Sequence, residues 1–345
     1  MNNFDHSRLT DSDVSPCKIR KLSNSLSKKQ AVTELFSSFV KTHNFCPNLD
    51  VQRIHKIIVV KLVERLESKD ANDRKFMQGI LRRIYLKCIN LRPFIRSQYN
   101  DVFFRFIFEK NDFLCIAEIL DTYYDIIMGF TQPVETEHEQ LLFKILLPLH
   151  KPPSLPEYFN QLIKCVIALL IQNPSFIEKY LKGLLRIWPK TSITKVTFFL
   201  NEIGRILLIK DEQEVKKVLP MVFNHISKCL CNESTKVRID RIEPTNCITS
   251  NITSQISEYT LRLWENYKVL KVIDRNHELI IPIVCPHLLR ILIRHLGTPM
   301  QSHVSIVLCY LLKMNNTLFR RMTSMCMCVK EPKNAKSSIL LEHII

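Results

Sequence analysis

The chain has 345 residues, of which 46% are apolar, so it can bury a large core and is not disordered throughout. Five glycines are too few for most sheet proteins or phosphate-cradling enzymes, because glycine supplies the positive φ angles of hairpins and anion loops. The formal net charge of +16 fits nucleic acid, an anionic membrane or an acidic partner. The Lys and Arg residues are spread along predicted helices, so solvated helix faces are the simpler interpretation.

Residues 1–30 are polar and lack periodicity, which predicts a disordered basic arm. They contain no apolar signal-peptide core, and we expect a cytoplasmic protein. Five basic residues resemble a loose bipartite nuclear signal, with an ordinary basic tail as the alternative: Lys18, Arg20, Lys21, Lys28 and Lys29. Access to the nucleus is therefore part of the expectation.

From residue 31 to residue 322, apolar residues recur at spacings of three and four, which is typical of amphipathic helices. Three such stripes are Val51/Ile54/Ile58/Leu62/Leu66, Met77/Leu81/Ile84/Cys88/Leu91 and Ile116/Ile119/Tyr123/Ile127/Phe130. Helices of about 15 residues with short breaks give a repeat of roughly 40, the helix-pair unit of HEAT and armadillo arrays. We predict an all-α, HEAT/armadillo-like superhelical solenoid of antiparallel helix pairs.

Four capping boxes mark predicted helix starts, each with an acidic residue three positions after a Ser, Thr or Asp: Thr136/Glu139, Ser154/Glu157, Ser175/Glu178 and Asp211/Glu214. A polar stretch over residues 232–254 predicts a long surface loop. Residues 323–345, where the periodic signal weakens, are expected to form a tail.

The 12 cysteines stand mostly alone in apolar runs, which predicts buried thiols in a reducing compartment. The C-x-C pairs Cys229/Cys231 and Cys326/Cys328 lack a second pair at zinc spacing, so a metal site is the weaker alternative. The longest apolar run, from Cys165 to Ile171, is too short to span a membrane. No nucleotide, metalloprotease or serine-hydrolase motif is present, and we expect neither catalysis nor a cofactor.

Two ordered blocks carry a resemblance to a known family. The first contains LRRIYLK and LRPFIR between Leu81 and Arg96 and ends with LLPLHK at Lys151; the second contains WPKT from Trp188 and FLNE ending at Glu202. Both are similar to the B-prime family of protein phosphatase 2A regulatory subunits, and weaker similarity runs from about residue 32 to about residue 322. The resemblance implies a curved stack of HEAT-like helix pairs that docks on the scaffold and catalytic subunits of the phosphatase.

The resemblance also implies a concave groove for Leu-x-x-Ile-x-Glu segments of substrate or scaffold proteins. The groove positions implied by the resemblance are Arg83, Tyr85, Arg92, Arg96, Ile126 and His138, which match the family, and Asp121 and Thr122, which depart from it. Arg92 and Arg96 lie four residues apart and share one helix face. Forked arginine donors can bind a carboxylate or a phosphate, and without the resemblance each arginine would be read as a surface residue.

Several groove positions depart from the family. Arg82 stands where the family has His, Asp121 replaces Glu, Thr122 replaces an Ile of the aliphatic pocket, and Glu135 replaces a Lys. The family's Trp near residues 299–303 is missing. We therefore expect weaker binding of a consensus peptide, with the carboxylate clamp retained.

The implied holoenzyme contact combines a loop at residues 66–73 with the second block. Its candidate residues are Glu67, Lys69, Asp70, Trp188, Pro189, Lys190, Thr191, Asn201 and Glu202. In the loop, Lys69 stands where the family has an acid and Ala71 replaces a proline. The main alternative function is a basic solenoid that binds nucleic acid or acidic cargo without a phosphatase, which would need converging Lys and Arg residues with aromatics for stacking. An enzyme would need a pocket with converging titratable groups.

Overall fold

The computed structural model describes residues 56–109, 113–129, 136–231, 260–294 and 299–328. These residues contain helices and connecting turns but no β-strand, which confirms the predicted all-α fold class. The basic arm at 1–30, the loop at 232–254, and Phe130 and Glu135 lie outside the described residues. None of the described helices is both long and apolar enough to span a membrane.

Thirteen α-helices occur in the described ranges. They are α1 (Lys56–Arg65), α2 (Ala71–Lys87), α3 (Arg92–Phe108), α4 (Ile116–Met128), α5 (Thr136–Gln140), α6 (Leu155–Gln172), α7 (Phe176–Arg186), α8 (Ile193–Ile206), α9 (Glu212–Cys231), α10 (Tyr267–Arg275), α11 (His277–Arg294), α12 (Pro299–Met314) and α13 (Asn316–Cys328). A π-helical turn, Leu141–Leu146, continues α5, and short 3-10 turns occur at Ile89–Leu91, Pro148–His150 and Arg262–Glu265. Helix α13 continues six residues past the boundary at residue 322 that the sequence suggested.

The chain divides into two compact units. The first contains the described residues up to Val102 together with 113–118, and the second contains 103–109 and the described residues from Ile119 onward. In the first unit α1 packs against α2. In the second unit α7 packs against α9, α9 against α11 and α11 against α13, while α6 packs against α8. Contacts between every second helix are those of a helix-pair repeat, in which equivalent helices of successive pairs form a layer.

The predicted apolar stripes supply core residues where the structure describes them. In the first stripe Leu62 and Leu66 are buried and Ile58 is half-buried, while Val51 and Ile54 lie outside the described residues. Met77, Leu81, Ile84, Cys88 and Leu91 are all buried. In the third stripe, the members from Ile116 to Ile127 are buried as well. Burial of these side chains stabilises each helix far more than its intrinsic propensity does, since isolated helices of this length are marginal in water. The periodicity therefore identified the residues that drive folding.

The predicted capping boxes are only partly correct. Asp211 accepts a hydrogen bond from the backbone N of Glu214 (3.0 Å), as expected. Ser154 and Ser175 do start helices, but their side chains make no capping bond. Ser175 has helical backbone angles (φ −60°, ψ −21°), and the chain already turns before it, with the Phe176 N–H bonded to the Asn173 carbonyl. A cap needs an extended residue, which Asp70, Ser192 and Asn266 provide instead.

The expectation of buried thiols holds for most described cysteines but not for all. Cys88, Cys115, Cys165 and Cys285 are buried, and Cys309 on α12 is exposed. Burial raises the pKa of Cys115 to about 12, with the carboxylates of Glu67 and Glu118 acting in the same direction. A thiol with such a pKa is inert at neutral pH, which fits a packing role.

Candidate functional site

A cluster of two arginines around one tyrosine lies in the first unit. Tyr85, near the end of α2, is buried, and the guanidinium of Arg92 lies 5.3 Å from its ring centroid. Arg96, one turn further along α3, donates from Nη1 to the Tyr85 hydroxyl (3.1 Å). Tyr85 thus orients Arg92 through its ring face and Arg96 through its oxygen.

Arg92 also closes the carboxyl end of α2. Its Nε donates to the Tyr85 carbonyl (2.8 Å) and its Nη2 donates to the Leu86 carbonyl (3.1 Å). These carbonyls belong to the last turn of the helix, where they have no partner within the helix and carry partial negative charge. The bonds fix the guanidinium in one orientation and leave its remaining N–H groups for a ligand. Arg92 therefore has a structural role that sequence reasoning missed.

Arg83 lies on α2 two residues before Tyr85 and is half-buried, while its neighbour Arg82 is exposed. The two arginines point to different sides of the helix because successive residues are separated by about 100° around its axis. The candidate groove residues of the first unit are therefore Arg83 and the cluster of Tyr85, Arg92 and Arg96.

The loop between α1 and α2 is held by a network centred on Arg74. Arg74 Nε donates to Glu118 Oε1 (2.8 Å), and its Nη1 donates to the carbonyls of Ser68 (3.0 Å) and Lys69 (3.1 Å). Asp70 caps α2 by accepting from the backbone N of Asn72 (2.8 Å). Glu67, Lys69 and Asp70 are exposed, so the loop presents these three candidate contact residues from a fixed backbone.

The other groove candidates lie in the second unit. Asp121 and His138 are half-buried, whereas Thr122 and Ile126 on α4 are only 1% and 5% exposed. The place of Thr122 in an aliphatic pocket therefore stays a prediction, and in this structure its side chain is buried. The reason is that α4 is buried on two faces, and Thr122 lies within its packed side.

A fully buried polar network lies beneath the second sequence block. His150 Nε2 is 2.8 Å from Glu202 Oε2, and Tyr180 donates its hydroxyl hydrogen to Glu202 Oε1 (2.6 Å). His150 Nδ1 lies 3.1 Å from the carbonyl oxygens of Leu146 and Leu147, at the end of the π-helical turn. A carbonyl can only accept, so Nδ1 carries a hydrogen, and a proton is shared between Nε2 and Glu202.

The ionisation of this network follows from its contacts. Burial acts to lower the pKa of His150, but the Glu202 carboxylate and the two backbone carbonyls outweigh it and leave the pKa raised. Burial, together with the same carboxylate, raises the pKa of Tyr180. Glu202 thus favours the protonated form of His150, and Tyr180 is a neutral donor.

Glu202 must be corrected as a candidate partner contact. Its side chain is completely buried, and both carboxylate oxygens accept hydrogen bonds within the chain. It cannot reach a partner, and its role is to hold α8 against α7 and the turn at His150. The spacing of 52 residues between Glu202 and His150 gave no signal of this pairing.

The remaining contact candidates surround this network. Trp188 is half-buried and packs edge-on against Phe199 (5.7 Å between centroids) and His225 (4.8 Å). Lys190, Thr191 and Asn201 are exposed, and Pro189 is half-buried. The Trp188–Thr191 segment therefore presents a surface anchored by a tryptophan. Across the described ranges, no group of three or more His, Cys, Asp or Glu side chains is placed to hold a metal ion.

Comparison with known proteins identifies relatives. The human protein phosphatase 2A 56 kDa regulatory subunit alpha isoform is 35% identical over 295 residues, covering 86% of this chain and 57% of the relative. The regulatory subunit pptr-1 of Caenorhabditis elegans is 33% identical over 295 residues (86% and 51%), and the delta isoform of Oryctolagus cuniculus is 34% identical over 290 residues (84% and 46%). The chain spans about half the length of these relatives.

The relatives are named as regulatory subunits rather than catalytic ones. A sequence model described as protein phosphatase 2A regulatory B subunit (B56 family) matches residues 4–242 and 244–339. The match confirms the resemblance seen in the two sequence blocks. The chain belongs to the B56 family of protein phosphatase 2A regulatory B subunits.

Proposed function

We propose that this chain is a regulatory and substrate-targeting subunit of a Ser/Thr protein phosphatase 2A holoenzyme, without catalytic activity of its own. It binds the scaffold and catalytic subunits and recruits proteins that carry Leu-x-x-Ile-x-Glu segments. The observation that carries the proposal is the family match over nearly the whole chain. The chain covers only part of the length of its relatives, so its activity and its partners are proposed on the basis of that match.

The Tyr85, Arg92 and Arg96 cluster supports the peptide-binding role. Arg92 keeps forked N–H donors in a fixed orientation, and Arg83 is a further cation among the candidate groove residues of the first unit. Such donors suit the glutamate of a motif or a phosphate, with charge-assisted bonds of about 1.5–3 kcal/mol each. Because Tyr85 and the end of α2 already order the Arg92 side chain, little further entropy is lost when a ligand binds.

The loop presenting Glu67, Lys69 and Asp70, and the surface from Trp188 to Thr191 with Asn201, are our candidates for the holoenzyme contact. The Arg74 bonds to the carbonyls of Ser68 and Lys69 favour a preformed loop. A preformed surface binds with a smaller ordering cost than a flexible one.

Affinity capture with the full chain as bait tests the proposal. We expect scaffold and catalytic phosphatase subunits to be recovered, with the yield unchanged after RNase treatment. A charge-reversed loop variant, Lys69→Glu, tests the contact, and Lys61→Glu on an exposed position of α1 is its charge-matched control. Recovery of RNase-sensitive partners without phosphatase would instead support a nucleic-acid-binding solenoid.

We also propose a cytoplasmic location with access to the nucleus, based on the basic residues between Lys18 and Lys29. Deletion of residues 1–30 should reduce the nuclear fraction of a tagged chain. An unchanged distribution would show that these residues are an ordinary basic tail.

A further inference from the structure

An open cavity of 440 Å³ lies in the second unit above the buried network. Its walls include the apolar surfaces of Pro153, Ile187, Pro189 and Phe199, and the polar groups of Thr191 and Lys195. No carboxylate is among the described residues that line it. The cavity is therefore apolar at its base and basic at its edge.

Three lysines surround the cavity without a carboxylate partner in the described ranges. Lys151 and Lys195 line it, and Lys190 lies between two lining residues. Some exposed lysines of the same unit do have carboxylate partners, as in Lys179 with Glu139 and Lys182 with Glu178. Two positive charges thus line the cavity, a third belongs to the segment that borders it, and none of the lining residues is a carboxylate.

Lys195 is anchored at the edge of the cavity. Its Nζ donates to the Lys151 carbonyl (2.6 Å) and lies 3.5 Å from the His150 carbonyl. Burial lowers the pKa of Lys195, because desolvation disfavours its charged form. A carboxylate beside the ammonium would offset this cost and complete its donor set.

The base of the cavity favours an aliphatic side chain over a nucleotide base. Phe199 is 1% exposed and is packed between His150 and Trp188, with centroids at 5.5 Å and 5.7 Å. At this exposure Phe199 has no open face on which a base could stack, and the apolar lining suits a small aliphatic group. The polar network under His150 keeps this base rigid.

We propose that this cavity binds an acidic segment of a protein partner, which inserts one aliphatic side chain between carboxylates that pair with Lys151, Lys190 and Lys195. The inference rests on the proposed function, because Pro189, Lys190 and Thr191 belong to the surface assigned to the holoenzyme contact. It gives that contact a chemistry: an aliphatic residue flanked by Asp or Glu.

A defined peptide tests the inference. The probe is a fluorescein-labelled peptide, Asp-Glu-Leu-Glu-Asp, titrated with the full chain and followed by fluorescence anisotropy. The triple variant Lys151→Gln, Lys190→Gln, Lys195→Met should bind at least about tenfold more weakly, because three attractive charges are lost. The control variant, Lys164→Gln, Lys210→Gln, Lys216→Gln, removes the same charge from exposed lysines elsewhere and should stay within about twofold of wild type.

The apolar part of the site is tested by replacing Leu with Ser in the peptide, which should weaken binding about fivefold or more. Equal affinity of the triple variant and wild type, or of the Leu and Ser peptides, overturns the inference. A further outcome is that polyuridine RNA displaces the peptide while both triple variants bind it equally weakly. That result identifies a diffuse surface for polyanions and also overturns the inference. So does wild-type self-association through this face, detected by sedimentation.

Phosphatase capture with the same variants separates the two claims. Loss of capture in the cavity variant alone supports the inference within the proposed function. Capture by wild type and the cavity variant alike overturns the inference and leaves the proposed function standing. If wild type captures no phosphatase yet binds the peptide through the three lysines, the proposed function fails while the cavity retains its acidic ligand.

Discussion

Two polar clusters of similar size, one in each unit, differ in burial and in how many of their hydrogen-bonding groups are used within the chain. In the first, Tyr85 and the carbonyls at the end of α2 hold Arg92, and its guanidinium keeps donors for a ligand. In the second, Glu202 is completely buried and shares all its bonds with His150 and Tyr180. Both clusters lie in blocks that resemble the family, so resemblance alone does not separate a binding residue from a folding residue. The two kinds of residue are separated by their exposure and by the number of hydrogen-bond donors that remain unused within the chain.

The comparison predicts its largest effect at Glu202. Glu202→Gln should lower the free energy of unfolding by up to about 3–5 kcal/mol, because the buried His150 loses the carboxylate that stabilises its protonated form. The measurement is urea unfolding followed by circular dichroism. Asn201→Ala, the exposed neighbour, is the control and should change stability by less than about 0.5 kcal/mol.

A double variant sharpens this result. In Glu202→Gln/His150→Gln no charge remains buried, so the loss of stability should be smaller than the sum of the two single losses. If the free energy of unfolding of Glu202→Gln lies within about 1 kcal/mol of the wild-type value, the buried network does not contribute substantially to stability.

The second effect concerns the first cluster. Arg83→Glu should abolish binding of a Leu-x-x-Ile-x-Glu peptide in a calorimetric titration, since a favourable term of about 1.5–3 kcal/mol becomes repulsive. The unfolding midpoint of the variant, measured in parallel, separates a loss of binding from a loss of folding. Arg65→Glu, at an exposed position of α1, is the charge-matched control.

Arg92→Ala should behave differently from Arg83→Glu. It should weaken both peptide binding and stability, because Arg92 also satisfies the last carbonyls of α2. Unchanged peptide affinity in Arg83→Glu would show that the groove carried over from the family is not the binding site.

The third effect is the pH dependence of stability. The pKa of His150 is raised in the folded chain, so unfolding above pH ~6.5 releases a proton. Stability from the pair is complete below that pH and falls by about 1.4 kcal/mol per pH unit as pH rises from there toward the folded pKa. Urea unfolding at pH values of about 6.5, 7.5 and 8.5 measures this slope. The series starts at about 6.5 because that is the ordinary pKa of histidine in the unfolded chain. The double variant at 150 and 202 should show a shallower slope.

The smallest effect is expected at Tyr85. Tyr85→Phe keeps the ring beneath Arg92 and removes the oxygen that accepts from Arg96. Peptide affinity should fall by about 0.5–1.5 kcal/mol, the net worth of a hydrogen bond that orients a ligand-binding side chain. Tyr267→Phe, at an exposed tyrosine, is the control. A loss of stability as large as that of Glu202→Gln would show that the Tyr85 hydroxyl serves mainly to stabilise the fold.

The placement of the other candidates shows where sequence reasoning stops. Lys69 and Lys190 are exposed, as a contact residue must be, but Thr122 is buried because α4 packs on two faces. Arg74, which fixes the loop at Lys69 through Glu118, gave no local signal. Its partner lies 44 residues away, and a pattern of local spacing cannot report such a pair.

The sequence by itself determined the all-α class, the core stripes and the family, because helical periodicity and ordered motifs are properties of the chain read locally. Only the tertiary structure decided that Glu202 folds the chain, that Arg92 closes α2, and that Lys151 and Lys195 line one cavity. Side chains distant in the sequence compete for burial and for hydrogen-bond partners, and that competition is resolved only when the helices pack.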